Sequence, residues 1–374
     1  MQDKIKKIIY AISVLAGTII GVGLFSFPYI AGQVGIRTFL IYFFLLGGLV
    51  LVVHILFGEV SLATPDYLRF SGFAKTHLGK TGEKITSFSI IFSLLGSLLA
   101  YLIVGGKFLW GIFSNFLGGE EYIYVLLYFI FGAGFIYFGM RAISKLEFFG
   151  IILFFLILFL IIIYCFPFLK FSNIKIALNP KDIFLPYGPI LYALWGASLI
   201  PDTEEILGKE KKYLGKVIFI SILIPMIVYL LFTFTILGVA GKNVVPEGLL
   251  NLENALGKEF SKIALFFGFL TTFTSFVALG LTLKKMFVYD YKLNKNLSWG
   301  IVCFTPLLFY FLGFKNFIEV ISFIGAIFLG ISGIMIILMY QKVKKANLKV
   351  KILTFPLILI FVFGIIYQII YFLK

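Results

Sequence analysis

The feature that most constrains this chain is a succession of apolar runs, each about as long as a lipid bilayer is thick. A helix that crosses the hydrocarbon core needs roughly 20 mainly apolar residues. Eleven stretches come near that length: about 8–31, 36–60, 85–109, 121–140, 146–168, 186–207, 214–239, 261–289, 298–313, 317–340 and 352–373. Inside lipid every backbone N–H and C=O must be satisfied within the segment, so such runs fold as spanning helices. The expected class is an all-α integral membrane protein. The connections are short, charged, or rich in Gly, Asn and Pro, so no soluble domain is inserted. The longest, about 61–84, 169–185 and 240–260, are also the most polar. Within the last, 243–256 (NVVPEGLLNLENAL) reads as a short interfacial or re-entrant helix.

Composition closes off the alternatives. Hydrophobic residues make up 61% and charged residues 13%, against about 25% charge in ordinary soluble domains. With 47 Phe and 20 Tyr, a disordered chain and a coiled coil are excluded. The net charge of +15 would suit nucleic acid, but the basic residues sit between apolar runs. They read as membrane-surface charge, with the bilayer as partner and no nucleic acid. Cys165 and Cys303 lie inside apolar runs without CxxC or Cys/His spacing, so they read as inert buried thiols. The first run follows Lys4, Lys6 and Lys7 like a signal peptide, but it is too long and lacks a clean cleavage site.

Loop charge gives the orientation. With the N-terminus in the cytoplasm, 22 of the 32 Lys and Arg fall on the cytoplasmic side. They cluster at Lys4–Lys7, Arg69–Lys84, Arg141–Lys145, Lys209–Lys216, Lys284–Lys295 and Lys342–Lys351. This predicts a multi-pass cell-membrane protein, N-terminus inside and C-terminus outside, with an odd number of spans.

Two spans are interrupted. The first is broken at Gly17-Thr18-Ile19-Ile20-Gly21-Val22-Gly23, the sixth at Trp195-Gly196-Ala197-Ser198 before Pro201. The breaks lie five spans apart, so the two halves run in opposite orientation. That predicts a 5+5 inverted repeat with broken helices 1 and 6 plus an eleventh transmembrane helix. Repeat one covers about 8–168, repeat two about 186–340, and the extra helix about 352–373, all within one transporter domain. Freed backbone groups cannot face lipid, so the breaks must line protein or a wet cavity near the midplane. Half-helix N-termini suit a carboxylate, and half-helix C-termini suit an ammonium or cation. Gly17 and Gly21 also have the spacing of a helix-packing face, which is the competing reading.

These residues resemble a known family. Gly17-Thr18-x-Ile20-Gly21-x-Gly23-x4-Pro28 resembles the first helix of the amino acid/polyamine/organocation superfamily. Gly58-Glu59-Val60-Ser61-Leu62 resembles the end of helix 2 in hydroxy/aromatic amino acid permeases, and Ile222-Leu223-Ile224-Pro225 with Val228-Tyr229-Leu230 resembles their helix 7. The resemblance implies a LeuT-like fold and secondary transport of neutral amino acids. It departs at the helix-6 break. Such permeases usually carry Ser-Phe-Gly-Phe-His there, whereas this chain has Ala193-Leu194-Trp195-Gly196-Ala197 and no histidine, so an aromatic substrate stays open.

The expected substrate site comprises Gly17, Thr18, Ile20, Gly21, Val22 and Gly23 from helix 1, Trp195, Gly196, Ala197 and Ser198 from helix 6, and Tyr101 over them. The substrate carboxylate would meet the N–H groups around Gly21–Gly23, and its ammonium the carbonyls near Trp195–Ser198. On span 8, Thr271, Thr272, Thr274 and Ser275 form the densest hydroxyl cluster. In the LeuT-like fold that helix faces helix 1. Thr271, Thr274 and Ser275 are therefore candidate cation ligands, with hydroxyl-to-backbone bonding as the alternative. The only bound group this asks for is Na+. Some relatives place a lysine ammonium in helix 5 instead, but 148–165 has no basic residue. Among ionisable residues within spans, Glu59 and His54 on span 2 qualify best as functional, and both are candidates for coupling or gating. Asp202, with Glu204 and Glu205 beside it, ends the broken sixth span and is a candidate gate toward Lys4, Lys6 and Lys7.

The leading expectation is a transporter importing neutral amino acids with Na+ or H+ by alternating access. The alternative is a non-transporting amino-acid receptor subunit of the same fold, like those of spore-germinant receptors. An enzyme is not expected: two His and no clustered intramembrane acids provide no catalytic constellation. Gly72-x6-Gly79-Lys80-Thr81 lacks the spacing of a phosphate-binding loop.

Overall fold

The computed structural model describes residues 2–65, 68–139, 143–174, 182–250, 252–345 and 348–373. Among them every regular element is helical. In chain order these are α1 (Gln2–Ile19), α2 (Phe27–Val34), α3 (Ile36–Ala63), α4 (Phe70–Leu117), α5 (Glu121–Phe138), α6 (Ile143–Cys165), α7 (Tyr187–Leu194) and α8 (Ile200–Leu207). Then follow α9 (Leu214–Ala240), α10 (Glu253–Leu256), α11 (Lys258–Tyr289), α12 (Lys295–Phe311), α13 (Phe317–Phe323), α14 (Leu329–Val343) and α15 (Leu348–Phe372). Arg141, counted among the loop charges, lies outside the described residues.

Both expected breaks are present. α1 ends at Ile19, Gly21 is extended (φ −142°, ψ −160°), and one 3-10 turn leads into α2. α7 ends at Leu194, Trp195 is extended (φ −81°, ψ 121°), and a 3-10 turn leads into α8. Each second half-helix restarts with a proline in its first turn, Pro28 and Pro201. There the missing N–H has no helical partner to lose.

By length and apolarity, seven described helices can cross a bilayer, or eight if the bent first pair is one span. The sequence reading has eleven. The difference arises in part because α12 has only 17 residues, and because the stretch from Tyr187 to Ala240 is one long apolar segment. From within α6 the apolar described stretch runs over Phe154–Phe168, through the 3-10 turn that follows the helix.

Two connections differ from expectation. The segment before span 3 is helical from Phe70, because Phe70, Phe73 and Ala74 bury one side of it. It meets the span at Gly79, whose positive φ of 75° makes the kink. Within 243–256, Glu253–Leu256 is the one α-helical piece among the described residues, and Leu249 and Leu252 before it are packed into the core. Gly248 holds φ 69°, and a Cβ there would lie 2.5 Å from the Phe25 carbonyl oxygen. This connection therefore sits directly on the backbone after the first break.

Ion pairs mark the two ends of the bundle. At the basic end Arg69 pairs with Asp290 at 2.7 Å and Lys344 with Glu59 at 2.7 Å. At the opposite end Lys107 pairs with Glu247 at 2.6 Å, linking α4 to the turn over the first break. Cys165 and Cys303 are buried free thiols.

Candidate functional site at the two helix breaks

The site is built where the breaks meet. Gly23 abuts α7 so closely that a Cβ there would lie 2.6 Å from the Ala193 Cβ. A Cβ at Gly196 would lie 2.7 Å from Ile19. Two glycines in contact with the other break's neighbourhood explain why helices 1 and 6 approach at backbone distance.

Three side chains from other helices hold the freed backbone groups. On α9, the Tyr229 hydroxyl is 2.6 Å from the Ile19 carbonyl oxygen and 3.0 Å from that of Ala193. One hydroxyl thus serves the carbonyl ends of both first half-helices, α1 and α7. On α4, the Tyr101 hydroxyl accepts the Val22 N–H at 3.3 Å, and Ser275 of α11 stands beside that hydroxyl. On α3, His54 is fully buried and its Nε2 accepts the Gly196 N–H at 2.9 Å. Its Nδ1 lies 2.8 Å from the Val50 carbonyl oxygen and donates to it. The Trp195 indole stands edge-on to the imidazole at 5.2 Å.

Of the expected substrate residues, the structure brings together Ile20, Gly21, Val22, Gly23, Tyr101, Trp195, Gly196 and Ala197. Gly17 is half-buried, and Thr18 and Ser198 are exposed. The break glycines are close-packed rather than open. At Gly23 a Cβ would collide with Ala193, and at Gly21 with the Tyr101 hydroxyl.

On α11, Thr271 bonds the Phe267 carbonyl at 2.9 Å and Thr274 that of Leu270 at 3.1 Å. These hydroxyls donate to their own helix, and their lone pairs stay available to accept. Thr271, Thr274 and Ser275 are half-buried, and the oxygens they offer are neutral. That set fits a monovalent cation with oxygen preference.

At the basic end the acids sort differently from the sequence reading. Asp202 is exposed. Glu204 is buried at 4% exposure, accepts a very short hydrogen bond from Ser61 on α3, and lies 3.7 Å from Lys211. The expected pairing of this acidic cluster with the first lysines is replaced, at Lys4, by Tyr213. The Lys4 Nζ donates to the Tyr213 hydroxyl at 2.7 Å. Glu59 pairs with Lys344, the residue that follows α14.

Sequence reasoning missed Tyr229 as a site residue, although it stands in the quoted helix-7 motif, and it missed the Lys107–Glu247 pair. A tyrosine in the middle of an apolar span was the available signal, because a buried hydroxyl needs a partner.

The comparisons follow the same line. The model of the tryptophan/tyrosine permease family matches residues 4–371. Among characterised relatives, the chain is 24% identical over 376 residues to the tyrosine-specific transport system 1 of Haemophilus influenzae, covering 94% of this chain and 93% of that protein. It is 23% identical over 326 residues to glutamine transporter 2 of Aliivibrio fischeri, covering 84% and 83%. Among solved structures, it superposes on MhsT in complex with L-phenylalanine with a TM-score of 0.69 at 13% identity, covering 96% and 97% of the two chains. It superposes on Mhp1, a nucleobase-cation-symport-1 family transporter in a closed conformation with bromovinylhydantoin bound, with a TM-score of 0.65 at 12% identity, covering 96% and 90%. Both likenesses establish a shared fold.

Proposed function

As a member of the tryptophan/tyrosine permease family, the chain is a secondary transporter of amino acids rather than an enzyme, and we propose that it imports a neutral amino acid together with Na+ or H+ by alternating access. The observation that carries this reading is the Tyr229 hydroxyl, which touches the carbonyl ends of both broken helices at once. Those carbonyl ends are negative and suit a substrate ammonium or a cation. The Val22 N–H, bonded to Tyr101, begins the second half of helix 1 and suits a carboxylate. A zwitterion has both groups, and the two polarities lie side by side here.

We place the basic end in the cytoplasm and the opposite end outside, with the chain in the cell membrane. The lysine and arginine distribution supports this orientation. The exposure of Thr18 and Ser198 supports an inward-facing state. So does the seal over the opposite end, where the Phe25 ring meets Phe108 at 5.1 Å and Phe232 at 5.9 Å beneath Gly248. In the outward-facing state this seal opens and the basic end closes. Glu204, Glu59 and Lys4 sit at the contacts that change. Thr271, Thr274 and Ser275 complete the cation shell with helix-1 carbonyls. The five-plus-five repeat relates the two broken helices.

The relatives divide on substrate: one name specifies tyrosine and the other glutamine. Counterflow in proteoliposomes separates these for this chain. Labelled tyrosine and labelled glutamine are offered against pools of single amino acids, with and without Na+. Accumulation driven by neither pool nor gradient would sink the transport reading.

A further inference from the structure

The tenth expected span is one spanning helix over Phe317–Val343, but its backbone is not α-helical throughout. Between α13 and α14 it makes a π turn, Ile324–Phe328. Such turns are rare inside α-helices and recur at functional sites. α4 holds both ends of this one. At Gly96 it receives the first residue: a Cβ there would lie 2.7 Å from Ile324. Phe92 stacks on the last residue, Phe328, at 5.5 Å between ring centres. The Ser89 hydroxyl donates to the Phe328 carbonyl oxygen.

Ser89 is the informative residue. Ser89, Ser93 and Ser97 are buried and follow one another at four-residue spacing on one face of α4. Ser93 and Ser97 spend their protons on their own helix, on the carbonyls of Ser89 and Ser93 at 2.8 Å. That is the ordinary bond of a serine inside a helix. Ser89 instead reaches across to another helix. Its proton is spent there, so Ser332 of α14, 2.9 Å away, donates to it.

The other side of the π turn carries α7, which leads into the helix-6 break. Here backbone meets backbone. A Cβ at Gly325 would run into the Gly188 carbonyl, and one at Gly188 into the Ser322 carbonyl. The first half of helix 6 is thus seated on the π turn.

We propose that Ser89 is a positioning residue for transport: by holding the π turn it fixes the seat of α7 and, through α7, the break at Trp195–Gly196. Without the hydroxyl the π turn loses a bond that a regular α turn does not need. A change from π to α register turns α13 by one residue, about 100°, against α14. That takes Gly325 away from Gly188, and α7 loses its seat. The proposal rests on the reading that substrate binds at the helix breaks.

The test uses the full chain in lipid nanodiscs, with spin labels on cysteines at two exposed positions. These are Ile183, just before α7, and Phe116, at the end of α4; the native thiols are buried. Ser89→Ala should shift or broaden the distance between the labels. Ser93→Ala removes the same group from the same face and should leave the distance as in the wild type. Gly325→Ala pushes on Gly188 directly. It should reproduce the shift, and it serves if Ser89→Ala does not remain monodisperse. Uptake of labelled tyrosine and labelled glutamine into proteoliposomes is measured on the same variants. In Ser89→Ala, KM for the transported amino acid should rise about tenfold, the scale of a buried group left without its partner, with kcat changed less. Ser93→Ala should keep the wild-type KM. An unaltered distance in a folded Ser89→Ala or Gly325→Ala protein, an equal effect in Ser93→Ala, or an altered distance with wild-type KM would overturn the proposal. Uptake of neither amino acid by the wild type would count against the import reading instead, and the distances alone then decide whether Ser89 seats α7.

Discussion

The imidazole Nε2 of His54 accepts the backbone N–H of Gly196 across 142 residues of chain. The Nδ1 contact to Val50 fixes which nitrogen carries the proton. His54 is thus a neutral acceptor that satisfies the first free N–H of the helix-6 break. A proton added to Nε2 would set two N–H groups face to face, so His54 cannot take a proton while the break keeps this geometry. His54→Leu leaves a buried N–H unpaired, at a cost of about 1–3 kcal/mol. A lowered melting temperature and strongly reduced uptake are expected, with partial recovery in His54→Gln. A His54→Gln protein that works but has lost its pH dependence would show that His54 carries the coupled proton after all.

Tyr229→Phe removes the hydroxyl shared by Ile19 and Ala193 while keeping the ring and its edge contact with Phe27 at 5.2 Å. The one hydroxyl proton is shared between the two carbonyl oxygens, and losing it is worth about 1 kcal/mol net. Uptake should fall by about tenfold or more, since the carbonyl ends lose their common reference. Wild-type uptake in this variant would remove Tyr229 from the site.

Tyr101→Phe frees the Val22 N–H without adding volume. If that N–H receives the substrate carboxylate with help from the hydroxyl, KM should rise roughly tenfold while kcat changes less. Gly21→Val and Gly23→Val act differently, because their side chains meet Tyr101 and Ala193. Both should abolish binding, and loss of membrane expression along with it would support the packing role of these glycines.

The Lys107–Glu247 pair is mostly buried, with the glutamate side chain 3% exposed. Breaking a buried pair by removing one partner costs about 3–5 kcal/mol. Lys107→Met and Glu247→Gln should each loosen the cover over the first break, read as faster labelling of a cysteine placed at Phe25. The exchange Lys107→Glu with Glu247→Lys should restore the slow rate. If the single variants label no faster than wild type, the pair is not a latch.

Thr274→Val with Ser275→Ala removes two neutral oxygens with little change in volume. With Na+ as the coupled ion, uptake at fixed pH should require markedly more Na+, with unchanged preference among substrates. Uptake that ignores Na+ and follows a pH gradient instead would move attention to Glu59. In that case Glu59→Gln should abolish gradient-driven uptake, whereas Lys344→Met, which removes its ion-pair partner, should not.

The sequence by itself determined the helices and the places where they stop being helices. Apolar length specifies a spanning segment wherever it occurs, and glycine and proline act on their own backbone. The breaks at Gly21 and Trp195, and the restarts at Pro28 and Pro201, were therefore legible locally. So was the clustering of basic residues at one end. The tertiary structure alone decided which side chains serve the freed backbone groups. α9 and α11 are apolar nearly all round, so their sequences do not say which face turns inward. Tyr229, Ser275 and the threonines beside it acquire partners only once neighbouring helices fix their rotation. The same holds for the acids at the basic end. Asp202, Glu204 and Glu205 are equivalent as letters, but one turn of α8 against α3 buries Glu204 on Ser61 and leaves Asp202 exposed. The physical reason is range. Backbone preference acts within a few residues, whereas a buried polar group must find its partner in space, and His54 found Gly196 on another helix.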